Sequence, residues 1–289
     1  MIRTLLVPVS ARASERFKAK EREMMQQIAD LEAEGRELHL LLATLKDDDW
    51  RRPTLFKAWT IDDIVQHLHM GDLMGLASAT APAQFSALLA DIQARRATGL
   101  SRVEETRQRL GDVTGPRLLE QWRVTLDQLC AALSAKAPDA RLKWSGPDMG
   151  VRMFATARQM EVWSHAQAIY DLLDRERPEP SPRLRNIAEL GVRTFAWAYR
   201  NRGLPVPTVV PHIRLATPFG ETWEWNPESA GGSVVGEAIA FCQVVTQIRN
   251  VADTALIVEG DGAKHWMSIA QCFAGPPETP PAPGTRRRG

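Results

Sequence analysis

The sequence predicts a two-domain α+β protein in which a helix bundle precedes a smaller α+β domain. Three observations predict it. Apolar residues recur at helical spacing across residues 21–176. The stretch Arg177-Pro178-Glu179-Pro180-Ser181-Pro182 reads as a stiff linker. Period-two alternation then appears in residues 212–216 and 221–225, either side of Pro218-Phe219-Gly220, which is the pattern of a hairpin.

In chain order, residues 1–20 show no sustained apolar periodicity and are expected to form a flexible extension. The globular pattern starts near Met24, which makes Met24 or Met25 a candidate start of the native chain. Over residues 22–45, Ile28, Leu31, Leu38, Leu41 and Leu42 define an amphipathic helix, with His39 as a surface or half-buried imidazole. Asp47-Asp48-Asp49 is a solvated turn, because a calcium loop needs its ligands at alternate positions. Thr60 is a good N-cap with Asp63 three residues on, and Ile61, Ile64, Val65 and Leu68 form the buried stripe of the helix that follows. Residues 82–112 read as further helix with a charged outer side, 116–133 as another, and 151–173 as the last of the bundle. Beyond the linker, residues 184–200, 237–246 and 263–273 are helical, and residues 254–258 form a strand. The expected domains are therefore 21–176 and 183–275, with a proline-rich disordered tail over 276–289.

Composition narrows the function. A net charge of +1 in 289 residues excludes a global electrostatic bias towards nucleic acid or an anionic membrane. No run approaches the roughly 18 uninterrupted apolar residues of a membrane helix. Cys130, Cys242 and Cys272 are odd in number and form no CxxC pair, which fits a reducing cytoplasm.

The chemistry concentrates in Glu161-Val162-Trp163-Ser164-His165. Residues four apart on a helix are neighbours, so Glu161 and His165 share a face, in a stripe with Phe154, Ala157, Ser164 and Ala168. Burying that carboxylate needs a compensating partner. A cation shared with His67 would supply one, since two histidines and a carboxylate leave an open coordination position. Spacing alone leaves a self-contained Glu–His hydrogen bond or a solvent-facing pair equally open. Asp72 and Asp171 are candidates to orient a ligand from behind, or else solvated carboxylates. His69, two residues from His67, cannot share its face and is expected at the surface. Trp59 and Trp163 read as packing residues.

Trp59-Thr60-Ile61-Asp62-Asp63-Ile64-Val65-Gln66-His67-Leu68, taken with Arg158-Gln159-Met160-Glu161-Val162-Trp163-Ser164-His165, resembles the mycothiol-dependent maleylpyruvate isomerase family, within the DinB-like metal-binding bundles. The likeness spans residues 24–275. Gly220-Glu221-Thr222-Trp223 and the stretch from Ala270 to Pro277 resemble a branch of that family. It implies an N-terminal DinB-like four-helix bundle of up-down-down-up type, with His67, Glu161 and His165 binding a divalent metal such as zinc. It also implies a mycothiol-like low-molecular-weight thiol as cofactor and a small electrophilic acid as substrate. A family arginine from the C-terminal domain helps to bind that acid. Here the stretch reads Val245-Thr246-Gln247-Ile248-Arg249-Asn250, so Arg249 is the candidate oxyanion clamp, although Ile248 stands within one residue of the same place.

The expected reaction is thiol-dependent. A thiolate adds to a cis double bond conjugated to a carbonyl, the resulting single bond rotates, and the thiol is expelled to leave the trans product. Retention of the thiol on an electrophile would make the protein an S-transferase, and loss of turnover a metal- or ligand-binding protein.

Overall fold

The computed structural model describes residues 9–178 and 181–286, with side chains from Glu15 onward. The outer ends of the expected extension and tail, residues 1–8 and 287–289, lie outside that range, as do linker residues 179 and 180. Helix α1 runs over Val9–Leu42, so much of the expected extension is helix. Residues 15–23 are exposed throughout. They lack an apolar stripe but are rich in Glu, Lys, Arg and Ala, whose intrinsic helix propensity carries the helix out beyond the core.

The bundle comprises α1, α2 (Ile61–Thr80), α5 (Gly115–Ser134) and α6 (Val151–Leu173). Both α1 and α2 pack on α5 and α6, which places α1 and α2 on a diagonal. The capping box at the start of α2 is complete: Thr60 Oγ1 accepts from Asp63 N at 3.2 Å and Asp63 Oδ2 accepts from Thr60 N at 2.9 Å. Arg107 then clasps both oxygens of Asp63 at 2.6 Å. Burial raises the Asp63 carboxyl, but these hydrogen bonds outweigh it and hold the group below its usual range. Thr60→Ala is expected to lower stability by about 1 kcal/mol, read as a fall in the urea midpoint at constant slope. An unchanged midpoint would show that the cap carries no weight.

Residues 82–112 form two helices, α3 (Pro82–Ala97) and α4 (Arg102–Leu110). The break follows from Gly99, whose φ of 100° leaves the helical region, and from Ser101, which opens α4 with its own capping box on Glu104. The break sets Arg102 in the first turn of α4.

A two-stranded ribbon, β1 (Arg141–Leu142) with β2 (Met149–Gly150), leads into α6. The C-terminal sheet has the order β4-β3-β5-β6. Strands β3 (His212–Ala216) and β4 (Thr222–Trp225) form the expected hairpin, pairing Leu215 with Trp223. Strand β5 (Ser233–Glu237) has no counterpart in the sequence reading. It runs parallel to β3 and antiparallel to β6 (Ile257–Glu259). Bounded by Gly231 and Gly232 and interrupted by Gly236, it is too short and glycine-rich to show a period. Helices α7 (Leu184–Arg193), α8 (Phe195–Arg200), α9 (Ala238–Val245) and α10 (Asp261–Ile269) complete this part. Residues 184–200 thus form two helices, broken at Thr194.

Among the described residues there are two apolar cores, and α6 serves both. Val162, Ala166 and Ile169 belong to the bundle core, whereas Met160 and Trp163 belong to the core built on α7, α9 and the sheet. Glu161 and His165 fall on the strip of α6 between these faces.

The expected disorder of the tail is also corrected. Residues 276–286 are irregular but fixed by side chains: Gln247 Nε2 donates to Glu278 O at 3.0 Å and Asn250 Nδ2 to Pro281 O at 2.8 Å. Proline-rich composition forbids a helix or a central strand without forbidding a packed, extended strap.

Candidate metal centre

His67 sits two turns into α2, with its register set by the Thr60 cap. Glu161 and His165 face it from α6. His67 Nε2 lies 3.2 Å and His165 Nε2 3.4 Å from the same oxygen, Glu161 Oε2. One donor atom from each of the three side chains falls within 4.8 Å of the others. The imidazoles stand with ring centroids 4.6 Å apart.

The loop before α2 walls this cluster. Lys57 and Ala58 both adopt the left-handed region, with φ of 52° and 57°. The turn closes where Thr54 N donates to Trp59 O at 2.8 Å. Two successive non-glycine residues held there carry a cost of about 1 kcal/mol or more each, and the turn folds its aromatic side chains onto the site. Trp59 stacks on His165 with an interplanar angle of 4° and a centroid separation of 5.8 Å. Phe56 meets the same imidazole edge-on at 5.0 Å. Trp59 is thus packing, as expected, but its packing fixes both candidate ligands. Trp163 packs in the second core beneath the Arg177 guanidinium.

Electrostatics prepare the donors. Burial would raise Glu161, but hydrogen bonds from His165 and His67 overcome it and keep the carboxyl well below its usual range, hence ionised. Burial pushes His67 down to about 4 against the pull of Glu161, so its imidazole is neutral near pH 7. A neutral imidazole and an ionised carboxylate are the protonation states a cation requires. Nitrogen and oxygen donors converging from two helices suit a borderline divalent ion. The residues present therefore fit a metal.

Other expected residues stand elsewhere. Asp72 does not reach His67. It is fully buried, accepts from Arg158 Nε at 2.8 Å and Trp122 Nε1 at 2.9 Å, and so ties α2 to α5 and α6. Asp171 does not touch His165; it accepts from Gln167 Nε2 at 3.0 Å and from Arg249 Nη2 at 2.7 Å. Arg249 is accordingly turned away from the site, buried against Asp171, while its neighbour Ile248 faces the cavity above the triad. The clamp assignment is corrected for this reason: an already paired, buried guanidinium offers no free fork to a ligand. His69 is buried on the opposite side of α2, and not at the surface.

The triad lies at one wall of a cavity of about 390 Å³ between the bundle, the C-terminal domain and the tail strap. Lys57, Arg96, Arg102 and Arg286 line it, against the carboxylates Glu161 and Glu278. Arg102 is exposed as a residue, and its guanidinium approaches Gly275, with Nη2 3.8 Å from where a Cβ there would stand. Partial desolvation by the surrounding protein lowers its pKa, opposed by the field of Glu161. The sequence reading missed these cations by taking residues 82–112 as a charged outer face. One signal was present: an arginine in the first turn of a helix opposes the helix dipole, which calls for a reason outside the helix.

The family profile described as the mycothiol maleylpyruvate isomerase N-terminal domain matches residues 31–170. Two uncharacterized proteins from strains of Mycobacterium tuberculosis are 38% identical over 250 residues, covering 86% of this chain and 96% of theirs. Two crystal structures of the mycothiol-dependent maleylpyruvate isomerase, one of a histidine-to-alanine mutant, share 13% and 14% identity with this chain. Each covers 76% of this chain and 88% of its own, at a TM-score of 0.48.

Proposed function

This chain belongs to the mycothiol-dependent maleylpyruvate isomerase family, and from that premise we propose that it is a metal-dependent, thiol-utilising enzyme acting on a small electrophilic acid. The reaction class is cis-to-trans isomerisation of a carbon–carbon double bond conjugated to a carbonyl. The observation that carries the reading is one wall of two imidazoles and a carboxylate facing a cationic corner across a single cavity.

His67, Glu161 and His165 would hold the ion, for which zinc is the proposed identity. When bound, a divalent ion supplies an electrophilic centre that lowers the pKa of a thiol brought to it. Arg102 and Arg96 pair with the carboxylate of the substrate, and Arg102 offers a planar fork of donors to the negative charge that grows on its carbonyl oxygen. Phe56 and Trp59 cover the imidazoles and keep bulk water from the ligand side. The cavity volume lies at the lower end of the range for small-molecule sites. A reducing compartment such as the cytoplasm suits three buried cysteines, none in a disulfide. Among the described residues, no helix is long and apolar enough to cross a membrane.

The test is to incubate metal-loaded protein with mycothiol and a cis-configured unsaturated keto acid, following both by NMR. A trans product with the thiol returned unchanged establishes the isomerase. A stable thioether with the thiol consumed establishes S-transfer, and neither product defeats the proposal. Arg102→Ala is expected to lower kcat/KM roughly 10- to 100-fold, the value of a lost charge-assisted contact, while metal content stays at the wild-type level. Unchanged kinetics would remove Arg102 from the substrate site.

A further inference from the structure

The strap over residues 276–286 is held unequally on its two sides. The C-terminal domain grips its backbone with buried side chains. Gln271 accepts from Glu278 N at 2.9 Å and donates to Pro276 O at 3.0 Å, and Gln247 donates to Glu278 O. Asp253 adds an acceptor for Gly284 N at 2.8 Å. Gln271 and Gln247 are both buried. Towards the bundle, the holding contacts are exposed. Lys57 Nζ meets Glu278 Oε2 at 3.0 Å with side chains 47% and 37% exposed. Arg286 donates to Leu55 O at 3.0 Å and lies over the Phe56 ring at 4.9 Å. One edge is therefore a firm anchor and the other a weak latch, because exposed ion pairs are screened by water and salt.

The latch carboxylate also lines the cavity. Glu161, the other carboxylate there, is engaged by the two imidazoles, whereas Glu278 sits beside Lys57 and within the field of Arg102. It stands where an anionic ligand would find its cations.

We propose that the strap carries a built-in stand-in for the ligand: Glu278 occupies the cationic corner formed by Lys57 and Arg102, and gives way when the carboxylate of a small acid enters. This rests on the reading of the cavity as a substrate site. The consequence is competition. Every incoming anion must displace Glu278, so the strap raises the threshold for weak or singly charged ligands and selects those that bring a stronger pairing to Arg102.

The test is binding of maleate, a small cis dicarboxylate, to the intact metal-loaded protein by calorimetry. Glu278→Gln keeps the shape and the backbone contacts and removes the charge. It is expected to tighten maleate binding about threefold, the scale of one exposed ion pair. In a Lys57→Gln background the same substitution should lose most of that gain, since the contested cation has gone. Equal or weaker binding by Glu278→Gln overturns the proposal, as does a gain undiminished without Lys57. Absence of maleate binding in wild type and variant alike also overturns it. The metal-centre reading is judged separately, from metal content in the same samples.

Discussion

His67→Ala and His165→Ala proteins are expected to retain their helical circular dichroism but to lose the proposed divalent metal, and with it any thiol-dependent turnover. Each substitution removes one of three donors that converge within 4.8 Å. Losing a mere supporting partner of a ligand costs 10- to 100-fold in metal affinity, and a ligand costs more. Fold survives because His67 and His165 lie on a strip beside the apolar cores and outside them. Elemental analysis after dialysis against a mild chelator reads the effect, and wild-type metal content in both variants would end the proposed centre. The pH dependence has a definite sign. With His67 pushed down to about 4, its imidazole stays neutral through the range around 6.5 where a free histidine takes up a proton. Its contribution to metal uptake is therefore constant from pH 7 down to about 5. In the metal-free protein, the folded pKa lies below the unfolded one. The unfolded chain then binds the proton first, so stability present above about 6.5 is lost as pH falls towards 4.

Asp72→Ala is expected to be strongly destabilising. It leaves the Arg158 guanidinium, itself buried, without its counter-ion and the Trp122 indole N–H without its acceptor. Breaking a buried pair from one side costs about 3–5 kcal/mol, a large share of a typical domain's stability. Asp72→Asn retains an acceptor for Trp122 and should cost less. Denaturant unfolding measures both. The folded fraction of each variant should carry wild-type metal, because Asp72 makes no contact with the triad. Metal loss at undiminished stability would return Asp72 to the role of a ligand support and contradict the geometry described above.

These two expectations divide along the line between local and distant information. The capping box at Thr60, the span of α6 and the pairing of Glu161 with His165 are written in residues three or four apart, where helix geometry alone decides who meets whom. The β3–β4 hairpin is legible for the same reason. His67 was a candidate by residue type, and likeness to a family strengthened it, since no spacing rule links residues 94 positions apart.

Charges on different elements behaved otherwise. Asp72 and Asp171 had a plausible place near the triad by sequence offset and Arg249 by likeness to a family, and each is taken by a nearer partner: Arg158, Gln167 with Arg249, and Asp171. A buried charge goes to whichever opposite charge tertiary packing brings within reach, and sequence separation carries no information on that. Arg102 shows the converse. The turn at Gly99 and the passage of Gly275 past α4 deliver an arginine read as surface into the cavity.

The spans of α2, α5 and α6, the Thr60 cap, the β3–β4 hairpin and the pairing of Glu161 with His165 are legible along the chain, because those follow from backbone periodicity and short-range hydrogen bonding. Which cations line the cavity, and that residues 276–286 border it, follows from the tertiary packing alone. Side-chain partners and an aperiodic strap are chosen by three-dimensional proximity, which leaves no repeat along the chain to read.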